Sequence, residues 1–284
     1  MQEPKGMFVI AGEPAIVTQV RRRVLSEFQD LEFFEEGHRY LLHGRQLSSV
    51  TTVAHRFVSM PFDEQVQATR YAEKHGQTPA HWIRQWRQNS FRATTLGTKT
   101  HAYGESLSYL RAGMPERISP LVQAQYMPQY GFLAPIHPKE EAVLKFMDEL
   151  PPSMHLVLNE AMVYSGKNPE PSRNLREQIS GTFDMLYYCD GSDGQPEGFL
   201  ILDYKTNASL VSEYCRRFGR RLLPPFCHLT EEDLSIYAIQ LSLYGLMLQD
   251  IGIPIVARCI VWICDGDYQV IPVEDLSEQL RQTL

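Results

Sequence analysis

Residues 179–206 read ISGTFDMLYYCDGSDGQPEGFLILDYKT, and this stretch decides the fold. Two apolar runs, 182–189 and 199–204, flank the turn-forming residues GSDGQPEG. Asp-Gly and Gly-Gln-Pro favour a chain reversal, so the pattern predicts a β-hairpin. We take this hairpin as the element around which the rest of the chain is organised.

Each strand of the predicted hairpin carries one carboxylate within an apolar run, Asp184 on the first and Asp203 on the second. Lys205 lies two residues beyond Asp203, and the alternation of a strand puts both side chains on one face. Burying such charges among apolar side chains is costly unless they pair or hold a cation. The stretch therefore predicts a site for a divalent metal ion and a phosphate, with salt-bridged strand residues as the alternative.

The composition is that of an ordinary globular protein. The chain has 284 residues, of which 43% are hydrophobic and 21% charged, enough for one large domain or a core with an appendage. The formal net charge of -7 argues against broad non-specific coating of nucleic acid, but it leaves room for a local basic groove.

The targeting and cysteine patterns indicate an intracellular, soluble protein. The five cysteines show no CxxC spacing, which argues against a disulfide framework or a zinc ribbon and favours a reducing compartment. No secretion signal or membrane-length apolar run is evident. We expect the protein in the cytoplasm or nucleoid, or in a virus-infected host cell, without contact to a membrane.

Hydrophobic periodicity predicts alternating helices and strands along the chain. Helices are expected over 14–29, 62–76, 78–91, 93–112, 138–150, 234–250 and 274–284. Strands are expected in a small hairpin over 33–42, at 155–164, in the central hairpin, and at 255–264 and 268–273. Residues 113–138 are predicted as a connector and 208–228 as an irregular, arginine-rich excursion. Thr230 and Asp233 suggest a capping box for the helix that follows them.

Three groups of residues are candidates for contact with a nucleic acid. The hydroxyls of SSVTT can bind a phosphate backbone, although a helix N-cap is the simpler explanation for them. Trp82 and Trp86 alternate with basic residues and can stack bases, or they form a stripe that faces the core. Basic clusters can neutralise phosphates, or they are solvated faces. The substrate-binding candidates are Ser49, Thr51, Arg84, Arg87, Arg216 and Arg217.

Further polar residues stand at regular positions in the predicted elements. Glu160 is a third acid within an apolar run. On the helix over 93–112, Gly97, His101 and Glu105 recur at a spacing of four and so share one face. Gln240 and Tyr244 share one face of the helix over 234–250 in the same way. A lone helical histidine is usually structural, so His101 gains weight only from the neighbouring acids.

In this order, GTKTH (97–101), Glu160, GTFD (181–184), DYK (203–205) and QLSLY (240–244) resemble the motifs of the PD-(D/E)XK nuclease superfamily, specifically its RecB-like branch. SSVTT resembles an element ahead of the core in mitochondrial genome-maintenance exonucleases and phage-type exonucleases. The similarity covers roughly residues 93–273.

The resemblance implies an α/β (α+β) fold with a restriction-endonuclease-like core, in which helices flank a central mixed β-sheet. It implies an N-terminal helical, substrate-guiding region over 1–92 and the nuclease core over 93–284.

The resemblance also implies the roles of the site residues. The family binds Mg²⁺ or Mn²⁺, for which the expected ligands are His101, Asp184, Asp203 and the carbonyl of Tyr204. Lys205 would orient or deprotonate the attacking water and neutralise developing charge. The full catalytic set is Glu160, Asp184, Asp203, Lys205, Gln240 and Tyr244. The cysteines do not bracket the core as iron–sulfur ligands do in some relatives, so no iron–sulfur cluster is expected.

The function expected from the resemblance is that of a metal-dependent DNA exonuclease, a phosphodiester hydrolase acting on single-stranded DNA or DNA ends. Such an enzyme would serve DNA repair, recombination or genome processing, as a monomer that works with a replication or recombination protein. Two alternatives remain open at this point. One is a structure-specific endonuclease, and the other is a noncatalytic nucleic-acid-binding subunit that keeps the nuclease fold.

Overall fold

A mixed sheet forms the centre of the computed structural model, which describes residues 3–126 and 133–284. Its strands in this part of the chain are β1 (Leu31–Phe34), β2 (Arg39–Leu42), β3 (Arg45–Ser49), β4 (Met154–Tyr164), β5 (Ile179–Cys189), β6 (Gly198–Lys205), β7 (Ile255–Ile263) and β8 (Tyr268–Pro272). The helices are α1 (Ala15–Glu27), α2 (Val50–His55), α3 (Glu64–His75), α4 (Pro79–Arg111), α5 (Pro120–Tyr126), α6 (Pro138–Asp148), α7 (Glu213–Arg217), α8 (Asp233–Asp250) and α9 (Ser277–Thr283).

The strand order confirms the expected α/β architecture, in which helices flank a mixed central sheet. The strands follow the order β1-β2-β3-β5-β6-β7-β8, and β4 pairs with β5. The pairs β3–β5 and β6–β7 are parallel, whereas the other pairs are antiparallel. The predicted central hairpin is confirmed as β5 and β6, with Met185 opposite Leu202 and Cys189 opposite Gly198. The small hairpin predicted over 33–42 is confirmed as β1 and β2.

Helices cover both faces of the sheet, and the alternation of the strands supplies a core to each face. On β6, Ile201 belongs to the core that includes side chains of α1, α2 and α8. Its neighbour Leu202 belongs to the core shared with α4 and α6. The side chains of α8 are buried almost all round, as expected for a helix enclosed by sheet and neighbouring helices. None of the helices in the described ranges is both long and apolar enough to cross a membrane.

Three local predictions were wrong. The helices predicted over 78–91 and 93–112 are one continuous helix, α4, because no glycine or proline interrupts the chain between them. The predicted capping box does not form, since α8 begins at Asp233 with Glu232 as its N-cap and without a side-chain cap bond. The connector predicted over 113–138 contains α5, and its residues 127–132 lie outside the described ranges.

The predicted boundary between 92 and 93 lies inside α4. The N-terminal region is also not purely helical, because it contributes β1, β2 and β3 to the sheet. β3 runs parallel to β5, with Ser48 opposite Ile179 and Ser49 opposite Ser180. The two predicted regions therefore share one helix and one sheet.

A buried guanidinium attaches α1 to β4 at a break in the strand register. The Arg21 side chain is fully buried, and its Nε and Nη2 donate to the carbonyls of Val157 and Leu156 at 2.7 and 2.8 Å. The register of β4 with β5 shifts between Leu156 and Leu158, which frees these carbonyls from the ladder. Glu13 pairs with the same guanidinium at 2.7 Å. Arg21 thus satisfies backbone groups that would otherwise be buried without partners.

We expect Arg21→Met to lower the free energy of unfolding by about 3–5 kcal/mol, because it leaves Glu13 and two carbonyls buried without their donor. Urea denaturation measures this change. The neighbouring Arg22, half exposed and 3.8 Å from Glu3, is the matched control, and Arg22→Met should change stability by less than about 0.5 kcal/mol. Equal stability of the two variants would contradict the role assigned to Arg21.

Candidate functional site

An open cleft of about 950 Å³ lies where α4 passes over the ends of β4 and β6. Its walls come from the 93–105 segment of α4, from the β1–β2 hairpin and from the residues that follow β6. Four of the predicted site residues line this cleft: His101, Glu160, Tyr204 and Lys205.

Three potential metal ligands converge at the cleft, and two of them, His101 and Glu160, line it. The ligand atoms of His101, Glu160 and Asp184 all lie within 4.8 Å of one another. One imidazole nitrogen and carboxylate oxygens form a donor set that suits Mn²⁺ and also accepts Mg²⁺. These three residues were predicted from separate patterns in one helix and two strands, and the fold brings their side chains together.

The backbone of β4 directs Glu160 into this cluster. Asn159 lies opposite Met185 and Ala161 opposite Phe183, so Glu160 faces Asp184 across the sheet. Glu160 has a φ of 46°, in the left-handed region that residues with a Cβ rarely adopt. Such a conformation costs on the order of 1–3 kcal/mol and is typical of functional sites.

Close approach of α4 to β6 places His101 over Asp184. A Cβ added to Gly104 would lie 2.7 Å from the Tyr204 ring, so only glycine permits this approach. His101 Nδ1 then lies 3.3 Å from Asp184 Oδ2, and the backbone N–H of Tyr204 donates to the same oxygen at 2.8 Å. Asp184 is therefore held from two sides before any ligand arrives.

The pKa values in the cluster follow from burial and mutual interaction. Burial lowers the pKa of His101, but the Asp184 carboxylate outweighs it and raises this pKa to about 9. Burial raises the pKa of Asp184, but His101 lowers it, and the net shift of this pKa is downward. The Glu160 residue is exposed at the cleft, but protein groups surround its carboxylate closely and partly desolvate it. This desolvation and the charge of Asp184 raise the pKa of Glu160 to about 8. At neutral pH the cluster therefore carries protons that a cation would displace.

Asp203 and Lys205 form a separate ion pair beside this cluster. The Lys205 ammonium contacts Asp203 Oδ2, and the Asp203 residue is only 4% exposed. Burial and Asp184 raise the pKa of Asp203 to about 6. Burial lowers the pKa of Lys205, but Asp203 and Asp184 raise it above its usual range. Lys205 therefore remains an ammonium at neutral pH.

An aromatic ring completes the environment of Lys205. Its Nζ lies 4.5 Å from the centroid of the Tyr237 ring, within the range of a cation–π interaction. The Tyr237 hydroxyl donates to Asn207 Oδ1 at 2.9 Å, and Asn207 Nδ2 donates to Asp233 at 2.8 Å. The indole of Trp262 donates to the Asn207 carbonyl at 2.8 Å. This network fixes the chain that leaves β6 along the cleft.

The two residues of the QLSLY motif lie beneath the sheet. Gln240 and Tyr244 are both buried, at 5% and 6% exposure. A Cβ on Gly181 would lie 2.9 Å from the Tyr244 ring, so Tyr244 packs directly under the start of β5. In this position the tyrosine supports the strand that carries Asp184.

Of the two candidates in SSVTT, Ser49 has a local structural role. Ser49 is the N-cap of α2, and its Oγ accepts from the Thr52 N–H at 3.1 Å, as the simpler alternative predicted. Thr51 is exposed, and its carbonyl accepts from His55 Nδ1 at 2.9 Å when that nitrogen is protonated. Contact of either residue with a nucleic acid stays a prediction.

The four arginine candidates differ in their partners. Arg87 forms a bidentate pair with Glu64, and Arg216 forms one with Glu232. Arg84 and Arg217 are exposed and form no ion pair within the described ranges. Among the residues that the structure describes, no carboxylate neutralises the cationic heads of these two candidates.

The two tryptophans pack between helices. Tyr71 of α3 lies 4.9 Å from Trp82 and 5.6 Å from Trp86, measured between ring centroids. Both tryptophans are half-buried in this small cluster between α3 and α4. This arrangement corresponds to the packing alternative, but the rings face a neighbouring helix and not the central core.

The sequence analysis missed Tyr237 and Asn207 as site residues. Asn207 lies two positions after Lys205, and Tyr237 lies three positions before Gln240 on α8. Both spacings carry a signal, because they place each residue near a candidate already identified. Glu105 was noted on the His101 face, and it indeed lines the cleft one turn further along α4.

Comparison with known proteins adds no assignment. No protein-family model matches the chain, and no curated protein matches it.

We expect the affinity for Mn²⁺ to rise between about pH 6 and pH 9. His101 must be neutral and Glu160 ionised to bind a cation, and both pKa values are raised, to about 9 and about 8. Titration calorimetry at pH 7 in buffers of different ionisation enthalpy should therefore show proton release. Glu160→Gln should release fewer protons, whereas Asp267→Asn, at an exposed acid paired with Lys145, should match the unmodified protein. A pH-independent affinity would refute this site.

Proposed function

We propose that the chain is a metal-dependent deoxyribonuclease of the PD-(D/E)XK superfamily, an exonuclease that acts on single-stranded DNA or DNA ends. One observation carries the proposal: the His101–Glu160–Asp184 cluster and the Asp203–Lys205 pair converge at one open cleft. The motif order that resembles the RecB-like branch supports the same assignment. The preference for an exonuclease rests on that resemblance alone.

The donor set fits a divalent cation. His101, Glu160 and Asp184 would hold Mg²⁺ or Mn²⁺, with Asp203 next to them. Bound there, such an ion lowers the pKa of a water molecule and polarises a phosphoryl oxygen. The cation would also offset the negative charge that the carboxylates present to a phosphodiester backbone.

Lys205 supplies fixed positive charge to the site. Its raised pKa keeps it protonated at neutral pH, so it would stabilise negative charge on the phosphate. Asp203 holds the ammonium in place, and Tyr237 covers it from α8. The groups that meet the phosphate are thus preorganised, which is the usual source of electrostatic stabilisation in enzymes.

Two labelled substrates test the proposed function. The purified protein is incubated with end-labelled linear single-stranded DNA and with closed circular single-stranded DNA, each with Mg²⁺, Mn²⁺ or EDTA. Loss of the linear substrate alone, dependent on metal, is the expected result. Cutting of the circular DNA as well would show that the activity is that of an endonuclease and not of an exonuclease. Binding without cleavage of any DNA would favour the noncatalytic subunit.

We expect Asp203→Asn and Lys205→Met each to lower cleavage of linear single-stranded DNA by at least about 100-fold, the general scale for losing a stabilising charge in the transition state. The urea midpoint should show that both variants fold. Lys145→Met removes an exposed lysine paired with Asp267 and is the matched control. Activity retained in both site variants would rule out the proposed site.

We expect Tyr237→Leu to lower the turnover number by a larger factor than it raises KM, because it removes the ring that covers the Lys205 ammonium. Tyr237→Phe keeps the ring and loses only the bond to Asn207, so it should retain most of the activity. The pH profile of cleavage distinguishes a positioning role from a structural one. Loss of the ring should lower the pKa of Lys205, so the alkaline limb of the profile should move to lower pH in Tyr237→Leu. An unchanged profile would argue against a positioning role for Tyr237.

A further inference from the structure

The segment that follows the cleft carries an unusual exposed aromatic pair. Tyr214 and Phe218 of the α7 region are 60% and 61% exposed, and their ring centroids lie 4.7 Å apart. Isolated exposed rings are common in proteins, but these two adjacent rings, inclined at 50° to each other, offer neighbouring aromatic faces on which bases can stack. We refer to these two rings together with Arg217 as the α7 surface.

Cationic groups accompany both rings. The Arg217 guanidinium lies 5.6 Å from the Phe218 ring centroid, and that of Arg220 lies 5.9 Å from the Tyr214 centroid. Glu231 pairs with Arg220, whereas Arg217 forms no ion pair in residues 3–126 and 133–284. Exposed aromatic faces beside the Arg217 guanidinium complement a partner that offers both π faces and negative charge.

The α7 surface lies close to a second groove, because Arg220, whose guanidinium lies over the Tyr214 ring, lines that groove. Ala208 lines the cleft, and the next residue, Ser209, lines a groove of about 590 Å³. The other wall of this groove includes Phe62, which is 70% exposed. Arg220 also lines the groove, and its Nη2 donates to the Met60 carbonyl at 3.2 Å, which joins the two walls. Tyr214 lies six positions after Ala208, a reach of at most about 22 Å.

We propose that the α7 surface stacks the unpaired bases of a single-stranded nucleic acid whose backbone occupies the cleft. The inference rests on the proposed function and specifies its substrate as a strand with accessible base faces. A duplex hides those faces in its own stack, and so it does not offer the same partner. The surface binds without regard to sequence, because every base has a π face.

Fluorescence anisotropy tests the proposal with labelled oligothymidylate and with a labelled blunt duplex, in EDTA so that no cleavage occurs. The variant Tyr214→Ala/Phe218→Ala should bind the single strand about 10- to 100-fold more weakly, the scale of losing one or two stacked bases, with no matching loss for the duplex. Tyr214→Phe/Phe218→Tyr should bind like the unmodified protein. The urea midpoint checks that each variant is folded.

Phe34→Ala is the matched control, because Phe34 is also an exposed ring with a guanidinium, that of Arg39, at 5.8 Å, and unlike its neighbour Phe33 it does not line the cleft. It should leave binding unchanged. Unaltered single-strand affinity in the double alanine variant would overturn the proposal and leave a protein as the partner of this surface. Absence of binding by the unmodified protein would overturn it as well. Stacking-dependent binding without any nuclease activity would uphold it while the proposed function fails.

Discussion

The structure depends on keeping charge inside an apolar sheet. Asp203 sits in β6 among core residues, where an isolated carboxylate is too costly to remain ionised. Lys205 offsets that cost from the same strand, and Tyr237 covers the ammonium from α8. Asp184 meets the same constraint on β5, with His101 and the Tyr204 amide as its partners. Strands and helices are thus held together at the point where the charges require them.

Local patterns predicted the parts of the site that local geometry determines. Alternation along a strand placed Asp203 and Lys205 on one face, and helical spacing joined His101 to Glu105. Contacts between distant segments were out of reach: helical spacing places Tyr237 near Gln240, but it does not show that the Tyr237 ring lies over Lys205. The fold was predictable to the same degree: the central hairpin follows from its turn, whereas the pairing of β3 with β5 depends on residues far apart.

The arginines show why charge in a sequence predicts binding poorly. Arg87 and Arg216 lie in basic segments of the sequence that predict phosphate binding. Each, however, is held in two hydrogen bonds by a carboxylate. Such a pair uses the planar fork that would otherwise bind a phosphate. Arg217 has no such partner in the described ranges, although it is adjacent to Arg216 in the sequence. The distinction lies in tertiary contacts with Glu64 and Glu232, which composition does not reveal.

Glu160 links the fold to its chemistry through strain. Its left-handed backbone is unfavourable for any residue with a Cβ, and glycine would adopt it freely. A glutamate at this position is therefore not explained by stability of the strand, since its side chain is also exposed and adds nothing to the core. What the conformation achieves is to bring a carboxylate within 4.8 Å of the ligand atoms of Asp184 and His101. Carboxylates brought together at such a cost in backbone energy support the proposed cation site, because a bound cation would turn their mutual repulsion into binding energy.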